Sequence, residues 1–392
     1  MKKIRALVFD GALPARLALA ALWLSLFAYA GRPLLVAASA GGIAPAIAWL
    51  ALFGCSLLPM LPALGRRDPL RKRSLMHWTG YATLGVFSVL LVLVALSDML
   101  RLSLFLAHFA INSRAISFGV LGATVALSIV GLFQARCPRI KRITIALDNL
   151  PPDLDGYRIV QWSDVHVGPT IQRRFVQTLV DRTNAIGAEA IAITGDLVDG
   201  YLEELRDQVQ PLAGLRARDG VFYVTGNHEY YWRASEWIPE LQRLGLIFLK
   251  NDHRVVQPGL VMAGVTDPAG RYTHKQDVGK ALQGAPRDAV KILLSHRPQT
   301  ARDASNLGAD VQLSGHTHGG QFFPFNLLIR FFQPIVAGLH RVGRTWLYVS
   351  RGTGYWGPPS RLGVHGEITV ITLGHRRRSD LRMRAREFDE AR

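Results

Sequence analysis

The sequence predicts an α/β layered domain preceded by an all-α transmembrane domain of about four helices. Three observations predict it. Long apolar segments almost free of charge fill the first third of the chain; short β-rich runs alternating with helical-period stretches fill most of the rest; and polar motifs carrying Asp, His and Asn follow five of those runs. With 392 residues, 49% hydrophobic and 19% charged, the chain can hold one large domain or two ordinary ones, which excludes a disordered tail protein. Its two cysteines cannot build a disulfide framework.

The net charge of +17 invites a nucleic-acid reading until the charges are placed. Residues 1–142 carry 16 Lys/Arg against 3 Asp/Glu, whereas residues 143–374 carry 23 against 22. The soluble part is therefore nearly neutral and has no basic excess for a phosphate backbone, so no nucleic-acid partner is expected.

The apolar segments come first. Between Arg32 and Arg66 lie 33 residues without a charge, from Ser74 to Ser97 another 24, and from Ala115 to Ala135 another 21. A bilayer core takes about 20 apolar residues in a helix. The shorter segment Leu17–Gly31 reads either as a further span or as a signal-peptide core ending at Ala28-Tyr29-Ala30; Asp10 and the long leader favour the span. The expected spans are about 14–31, 43–64, 76–97 and 115–135, in a domain covering 1–142. No acid falls inside them, so an anchor is expected rather than an ion relay. The leader (Lys2, Lys3, Arg5, Arg16), Arg66 to Arg73 and Arg136 to Arg142 hold 13 basic residues against three (Arg32, Arg101, Arg114) in the other connections. That bias expects the basic segments, and with them the following domain, on the cytoplasmic side of a bacterial inner membrane. Leu102 to Ser113 reads as an interfacial piece of the outer loop.

From Ile143 the pattern changes. Runs at Arg158–Trp162, Ala190–Thr194, Val221–Thr225, Leu260–Val265, Ile292–Ser295, Val311–Ser314, Trp346–Ser350 and Glu367–Leu373 read as strands, with helical stretches at 171–186, 202–215, 234–244 and 298–306. This defines a domain over 143–373. A charged tail, 374–392, follows.

Five strands lead into Asp164-Val165-His166, Gly195-Asp196-Leu197-Val198-Asp199, Gly226-Asn227-His228-Glu229, Ser295-His296 and Gly315-His316-Thr317-His318. Ligands gather at the carboxyl ends of strands in open α/β sheets, so these motifs should converge on one rim. Carboxylate and imidazole without thiolate suit manganese, iron or zinc. Seven candidate ligands are too many for one ion and about right for two, a recurrent arrangement for attack at phosphorus. Five of the twelve histidines lie in these motifs; His253, His274, His340, His365 and His375 do not, and read as surface or core residues.

In this order the motifs resemble those of the calcineurin-like metallophosphoesterase superfamily, and the extensions GHTHGGQ (Gly315 to Gln321) and VSRGTG (Val349 to Gly354) are similar to its membrane-associated bacterial branch. The resemblance implies a layered β-sandwich flanked by helices and two divalent ions. Asp164, His166 and His318 would hold one ion, Asn227, His296 and His316 the other, and Asp196 would bridge them. It further implies His228 as general acid over the phosphate, with Asp199 orienting a ligand. Gly200 stands where the protein-phosphatase branch has Arg, which argues against a dedicated phosphoprotein phosphatase. Arg351 and Arg361, flanking a glycine-rich segment, are candidate phosphate contacts. The apolar segment Phe322 to Leu339 follows His318 and reads as a packed loop or as an entry for a lipid-linked phosphate. The expected function is hydrolysis of a phosphoester or pyrophosphate, with a lipid-linked substrate favoured by location, by metal-activated hydroxide. A membrane-held nucleotide phosphodiesterase and a non-catalytic metal or phosphate sensor are the alternatives.

Overall fold

The computed structural model describes residues 13–38, 43–64 and 70–375. The basic positions Lys2, Lys3, Arg5, Arg66 and Arg67 and the tail from residue 376 lie outside the described residues. The chain divides into two compact units: Met1–Gln134 with Phe322–Phe325 and Gly357–Gly363, and Ala135–Gln321 with Asn326–Trp356 and the chain from Val364.

The first unit is helical. Three stretches are long and apolar enough to cross a membrane: Leu17–Ala38, Lys72–Leu106 and Ser113–Arg136. The expected second span, 43–64, is instead a helix Ala44–Leu57 followed by a 3-10 turn Leu58–Met60 and a last turn Leu61–Leu64. Pro59 and Pro62 lack the N–H that a continuous helix needs there. It still runs antiparallel to its neighbours. Trp23 Nε1 donates to the Ser56 carbonyl at 2.9 Å, a Cβ added at Gly31 would lie 3.0 Å from Leu52 Cγ, and one at Gly80 would lie 2.6 Å from Pro62 Cδ. Small residues thus let the helices approach closely.

Two expectations are corrected here. The first helix runs to Ala38 and the third spans Leu70–Leu106, so both continue past the charges taken as their ends. Asp98 therefore lies inside a helix that was expected to carry no acid. It is paired: Arg32 Nη2 reaches its carboxylate at 2.6 Å and Tyr29 donates to it at 2.8 Å, which offsets the cost of carrying charge along an apolar helix. The expected outer-loop piece 102–113 is accordingly helical up to Leu106. The last helix, Ser113–Arg136, starts where Asn112 Oδ1 accepts the Ala115 N–H at 3.0 Å, a side-chain cap.

The second unit is an α/β sandwich of two six-stranded sheets. One sheet has the order β1-β12-β2-β3-β4-β5, from β1 (Arg139–Leu147), β2 (Arg158–Trp162), β3 (Ala190–Thr194), β4 (Val221–Val224), β5 (Ile247–Phe248) and β12 (Glu367–His375). The other has the order β10-β11-β9-β8-β7-β6, from β6 (Asp252–Gln257), β7 (Leu260–Gly264), β8 (Val290–Leu294), β9 (Val311–Ser314), β10 (Gly338–Val342) and β11 (Thr345–Val349). The inner strands are apolar runs buried on both faces, as parallel strands covered by helices should be. Between the sheets Ile159, Ala192, Phe222 and Ile371 meet Met262, Ile292, Leu313 and Tyr348 in one core.

Four strands lie outside the sequence expectation. β1 starts at Arg139, inside the segment read as a basic exit, so the expected boundary at 142/143 cuts a strand; its alternating Ile and basic residues pair in parallel with β12 at the sheet edge. β5 is very short, and β6 and β10 are half-exposed antiparallel strands that lack a continuous apolar run. Among the helices, Arg173–Asn184 buries Phe175, Val176, Leu179 and Val180, and Trp162 Nε1 pins it by donating to Thr183 at 2.9 Å.

Candidate metal centre

Parallel pairing sets the site. β2, β3 and β4 end in register, with Trp162 opposite Ile193 and Ile193 opposite Tyr223. β8 and β9 do likewise, with Leu294 opposite Leu313. All five polar motifs leave the sandwich at this rim. Asp164, His166, Asp196, His316 and His318 all turn there with φ between 51 and 72°, a left-handed conformation that costs free energy and persists where surroundings enforce it. Glycines allow the close approach. A Cβ at Gly226 would lie 2.6 Å from Asp196 N, and one at Gly315 would lie 2.7 Å from Ser163 Cβ.

The side chains converge. Asp164, His166 and His318 offer ligand atoms within 4.8 Å of one another, as do Asp196, His296 and His316, and also His166, Asp196 and His228. His166 Nε2 lies 3.1 Å from His318 Nε2, and His316 Nδ1 lies 3.1 Å from His296 Nε2. Asp196 Oδ2 sits between the pairs, 3.2 Å from His296 Nε2 and 3.9 Å from His166 Nε2. Asn227 opens the short helix Asn227–Tyr231 at the same rim; its Oδ1 is buried without a hydrogen-bond partner, as is His166 Nδ1. A buried amide oxygen left without a donor is costly. A cation would satisfy it, so the residues present fit a divalent ion held by N and O donors.

Electrostatics agree with that reading. Burial, and then the His228 charge, press the His166 imidazole down to about 3; burial and then His296 press His316 down to about 3. Both rings are neutral and keep a lone pair. His296 moves the other way, up to about 10, because Asp196 outweighs the burial that opposes its charge. Burial pushes Asp164 up to about 6. Asp196 lies well below the carboxylate range; burial opposes this, but His296 and His228 outweigh it. A bound cation would take the place of such a proton, since metal binding displaces protons from its ligands. His296 Nδ1 faces the Thr194 carbonyl at 2.8 Å, which sets the tautomer that leaves Nε2 toward Asp196.

His228 stands beside this set. Its Nε2 is 4.0 Å from Asp196 Oδ2, and its Nδ1 is 2.8 Å from Asp199 Oδ1. The same Asp199 oxygen accepts Trp232 Nε1 at 2.7 Å. Asp199 thus orients His228, where the sequence reading had it orienting a ligand. Burial opposes protonation of His228, but Asp196 and Asp199 push it up to about 9.

Arg351 follows β11; its Cγ would lie 3.1 Å from a Cβ at Gly319, which places it against the His318 turn. Arg361 lies in the segment Gly357–Gly363. It belongs to the helical unit, where it is fully buried and its N–H donates to Gly131 O at 3.0 Å. Of the histidines read as surface or core, His253 and His375 face carbonyls of Ala281 and Leu150 at 3.0 Å.

One residue of the quoted motifs was given no role from the sequence. Glu229 is fully buried, and its carboxylate accepts N–H groups of Gly226 (2.6 Å), Leu197 (2.7 Å), Asp196 (3.1 Å) and Val198 (3.3 Å). It ties the Asp196 turn to the Asn227 turn. The signal was its place after Asn227-His228, in the first turn of the short helix, where its carboxylate reaches back to the Gly226 N–H.

The sequence model for calcineurin-like phosphoesterases matches residues 157–320. A transmembrane protein with metallophosphoesterase domain from Danio rerio is 35% identical over 323 residues, 76% of this chain and 74% of that protein. One of the same description from Bos taurus is 39% identical over 268 residues, 64% of this chain and 60% of its own length. An uncharacterized metallophosphoesterase from Campylobacter jejuni is 30% identical over 290 residues, 73% of this chain and 71% of its own. The similarity thus extends to animals as well as bacteria, more broadly than the bacterial branch expected from the sequence extensions. With this coverage and the match across the motif-bearing strands, the chain belongs to the calcineurin-like metallophosphoesterase family.

Proposed function

We propose that this chain is a membrane-anchored hydrolase of phosphoester or pyrophosphate bonds that works with two divalent ions, manganese, iron or zinc. The observation that carries this reading is the pair of 3.1 Å imidazole contacts, His166 with His318 and His296 with His316, on either side of Asp196. Asp164, His166 and His318 would hold one ion and Asn227, His296 and His316 the other, with Asp196 between them. Bound ions supply charge stabilisation at phosphorus and an activated water. The chain's own residues do the rest. Asp199 keeps the Nδ1 side of His228 engaged, so that Nε2 is aimed into the site and can deliver its proton to the leaving oxygen. Arg351, beside the His318 turn, is a candidate contact for phosphoryl oxygens. Arg361 is the second candidate for that role.

The apolar helices and the basic bias of the segments around Arg73 and Arg136 support an anchor with the α/β unit on the cytoplasmic side. Antiparallel packing of 43–64 favours four crossings, which leaves both ends on one side. A lipid-linked phosphate is the substrate class favoured by this location. Leu327, Leu328, Phe331 and Phe332 are exposed, Phe331 by 83%, and their segment is tied to the ligand turn where Thr317 donates to Val336 O. Such a surface suits an apolar tail.

The test is hydrolysis of bis-p-nitrophenyl phosphate by the full chain with added Mn²⁺, for wild type and His228→Ala. Turnover lost in the variant supports the reading. Bound metal without hydrolysis in either protein would make the chain a sensor. A C-terminal reporter answering from the far side of the membrane would overturn the orientation.

A further inference from the structure

Asp267 is a buried carboxylate with no part in the chemistry proposed above. Asp267 follows β7, is 1% exposed, and belongs to none of the ligand groups. It holds Arg297, the residue immediately after His296, through two hydrogen bonds: Nε to Oδ2 at 2.7 Å and Nη2 to Oδ1 at 3.2 Å. The carboxylate is fixed in turn, because Oδ1 also accepts Ala269 N–H at 2.7 Å. The Arg297 main chain is pinned as well, its carbonyl accepting from Gln312 Nε2 at 3.2 Å. A buried ion pair of this form costs desolvation and adds little stability by itself, so its retention beside a ligand calls for a use.

The geometry offers one. The Arg297 side chain is 30% exposed, not sealed in the core, and among the described residues its Nη1 makes no hydrogen bond. The Asp267 N–H donates to Thr225 Oγ1 at 3.3 Å, two positions before Asn227 opens the short helix that ends at Tyr231, so the pair lies between the Asn227 turn and the His296 turn. The Tyr231 ring lies 5.2 Å from that of His228. Arg297 therefore borders the rim between the Asn227 and His296 turns, with a preorganised fork and one open arm.

We propose that Arg297 is a substrate-contacting residue whose open Nη1 meets a doubly charged phosphoryl group, so that the site prefers a phosphomonoester or pyrophosphate terminus over a phosphodiester; Asp267 is its positioning residue. The inference rests on the hydrolytic reading above and narrows its substrate. A terminal phosphoryl presents one more anionic oxygen than a diester, and a charge-assisted bond to it distinguishes the two. Lys cannot reproduce the arrangement, because a single ammonium cannot engage Asp267 bidentately and keep a further arm for the substrate.

The experiment compares p-nitrophenyl phosphate with bis-p-nitrophenyl phosphate for the full-length wild type, Arg297→Ala, Arg297→Lys and Asp267→Asn with Mn²⁺, and measures orthophosphate binding by calorimetry. Arg297→Ala is expected to lose at least about tenfold more kcat/KM on the monoester than on the diester, chiefly through KM, with metal content unchanged and orthophosphate bound about tenfold more weakly. Arg297→Lys should recover only part of this, and Asp267→Asn should fall between. Since Arg297→Ala leaves Asp267 unpaired, the double variant Arg297→Ala/Asp267→Asn separates folding from recognition: it should regain stability and not selectivity. Equal losses on both substrates, or unweakened orthophosphate binding, would overturn the proposal. A wild type that binds orthophosphate through Arg297 but hydrolyses neither compound would sink the hydrolytic reading and leave Arg297 as an anion contact.

Discussion

His166 Nε2 and His318 Nε2 lie 3.1 Å apart although 152 positions separate them in the chain. Two ring nitrogens approach so closely only with a proton or a cation between them, and burial keeps His166 neutral. Asp196 extends the same geometry to His296.

Replacing the central carboxylate tests that geometry most directly. Asp196→Asn should abolish turnover and lower the metal content of the purified protein, read by elemental analysis. Retention of two ions per chain would contradict the bridging role.

His228 is aimed by Asp199 without belonging to the paired ligand set. His228→Ala should lower kcat by about 10²–10⁴-fold, the usual contribution of a positioned acid, while metal content stays at the wild-type level. Asp199→Asn should cost less, about 10–100-fold, since it misorients His228 without removing it. Single-turnover rates with metal analysis check both.

Glu229 joins two turns through four backbone N–H groups. Glu229→Ala strands those donors in a buried setting and should destabilise the α/β unit by about 3 kcal/mol. Urea unfolding of the variant reads the loss; an unchanged midpoint would show the carboxylate to be dispensable.

Away from the site, Asp219 gives a pH signature. Burial would raise its pKa, but hydrogen bonds from Arg218, Tyr157 and Gln257 hold it below the ordinary value of 3.8. A carboxylate depressed on folding stabilises the protein above its unfolded pKa, and that contribution fades as pH falls through the lower native value. Asp219→Ala should therefore cost about 2 kcal/mol at pH 7, and the gap from wild type should be smaller at a pH below 3.8. Paired urea titrations at the two pH values check the sign.

The exposed Phe331 and Phe332 bear on substrate class. Phe331→Ser/Phe332→Ser should lower turnover of a lipid-linked phosphoester several-fold and leave a soluble one untouched. Equal rates on both would remove the lipid-entry role.

Where the sequence was legible, the reason was periodicity and motif order. β2, β3, β4 and β9 are short apolar runs with an Asp, His or Asn motif at their ends, and their placement matches the expected strands closely. β1 was hidden because Arg139, Lys141 and Arg142 resembled a basic membrane flank; only pairing with β12 makes the segment a strand. The ends of the first and third helices were hidden for a related reason: Arg32 and Asp98 looked like terminators until each supplied the other's partner. Arg297 carried no motif of its own beyond its neighbour His296, and Glu229, although inside the Gly226-to-Glu229 motif, gave no sign in sequence of the backbone groups it binds.

By itself the sequence determined the chemistry available: which side chains can bind a divalent ion, which segments are apolar enough to anchor, and in what order strands and motifs follow. Those are local properties of composition and spacing. Only the tertiary structure decided which imidazoles face which, that five ligand-bearing residues take left-handed backbone turns, and that Asp267 pairs with Arg297 beside His296. Such relations depend on register between strands far apart in the chain, and a one-residue slip would turn every one of those side chains to the other face.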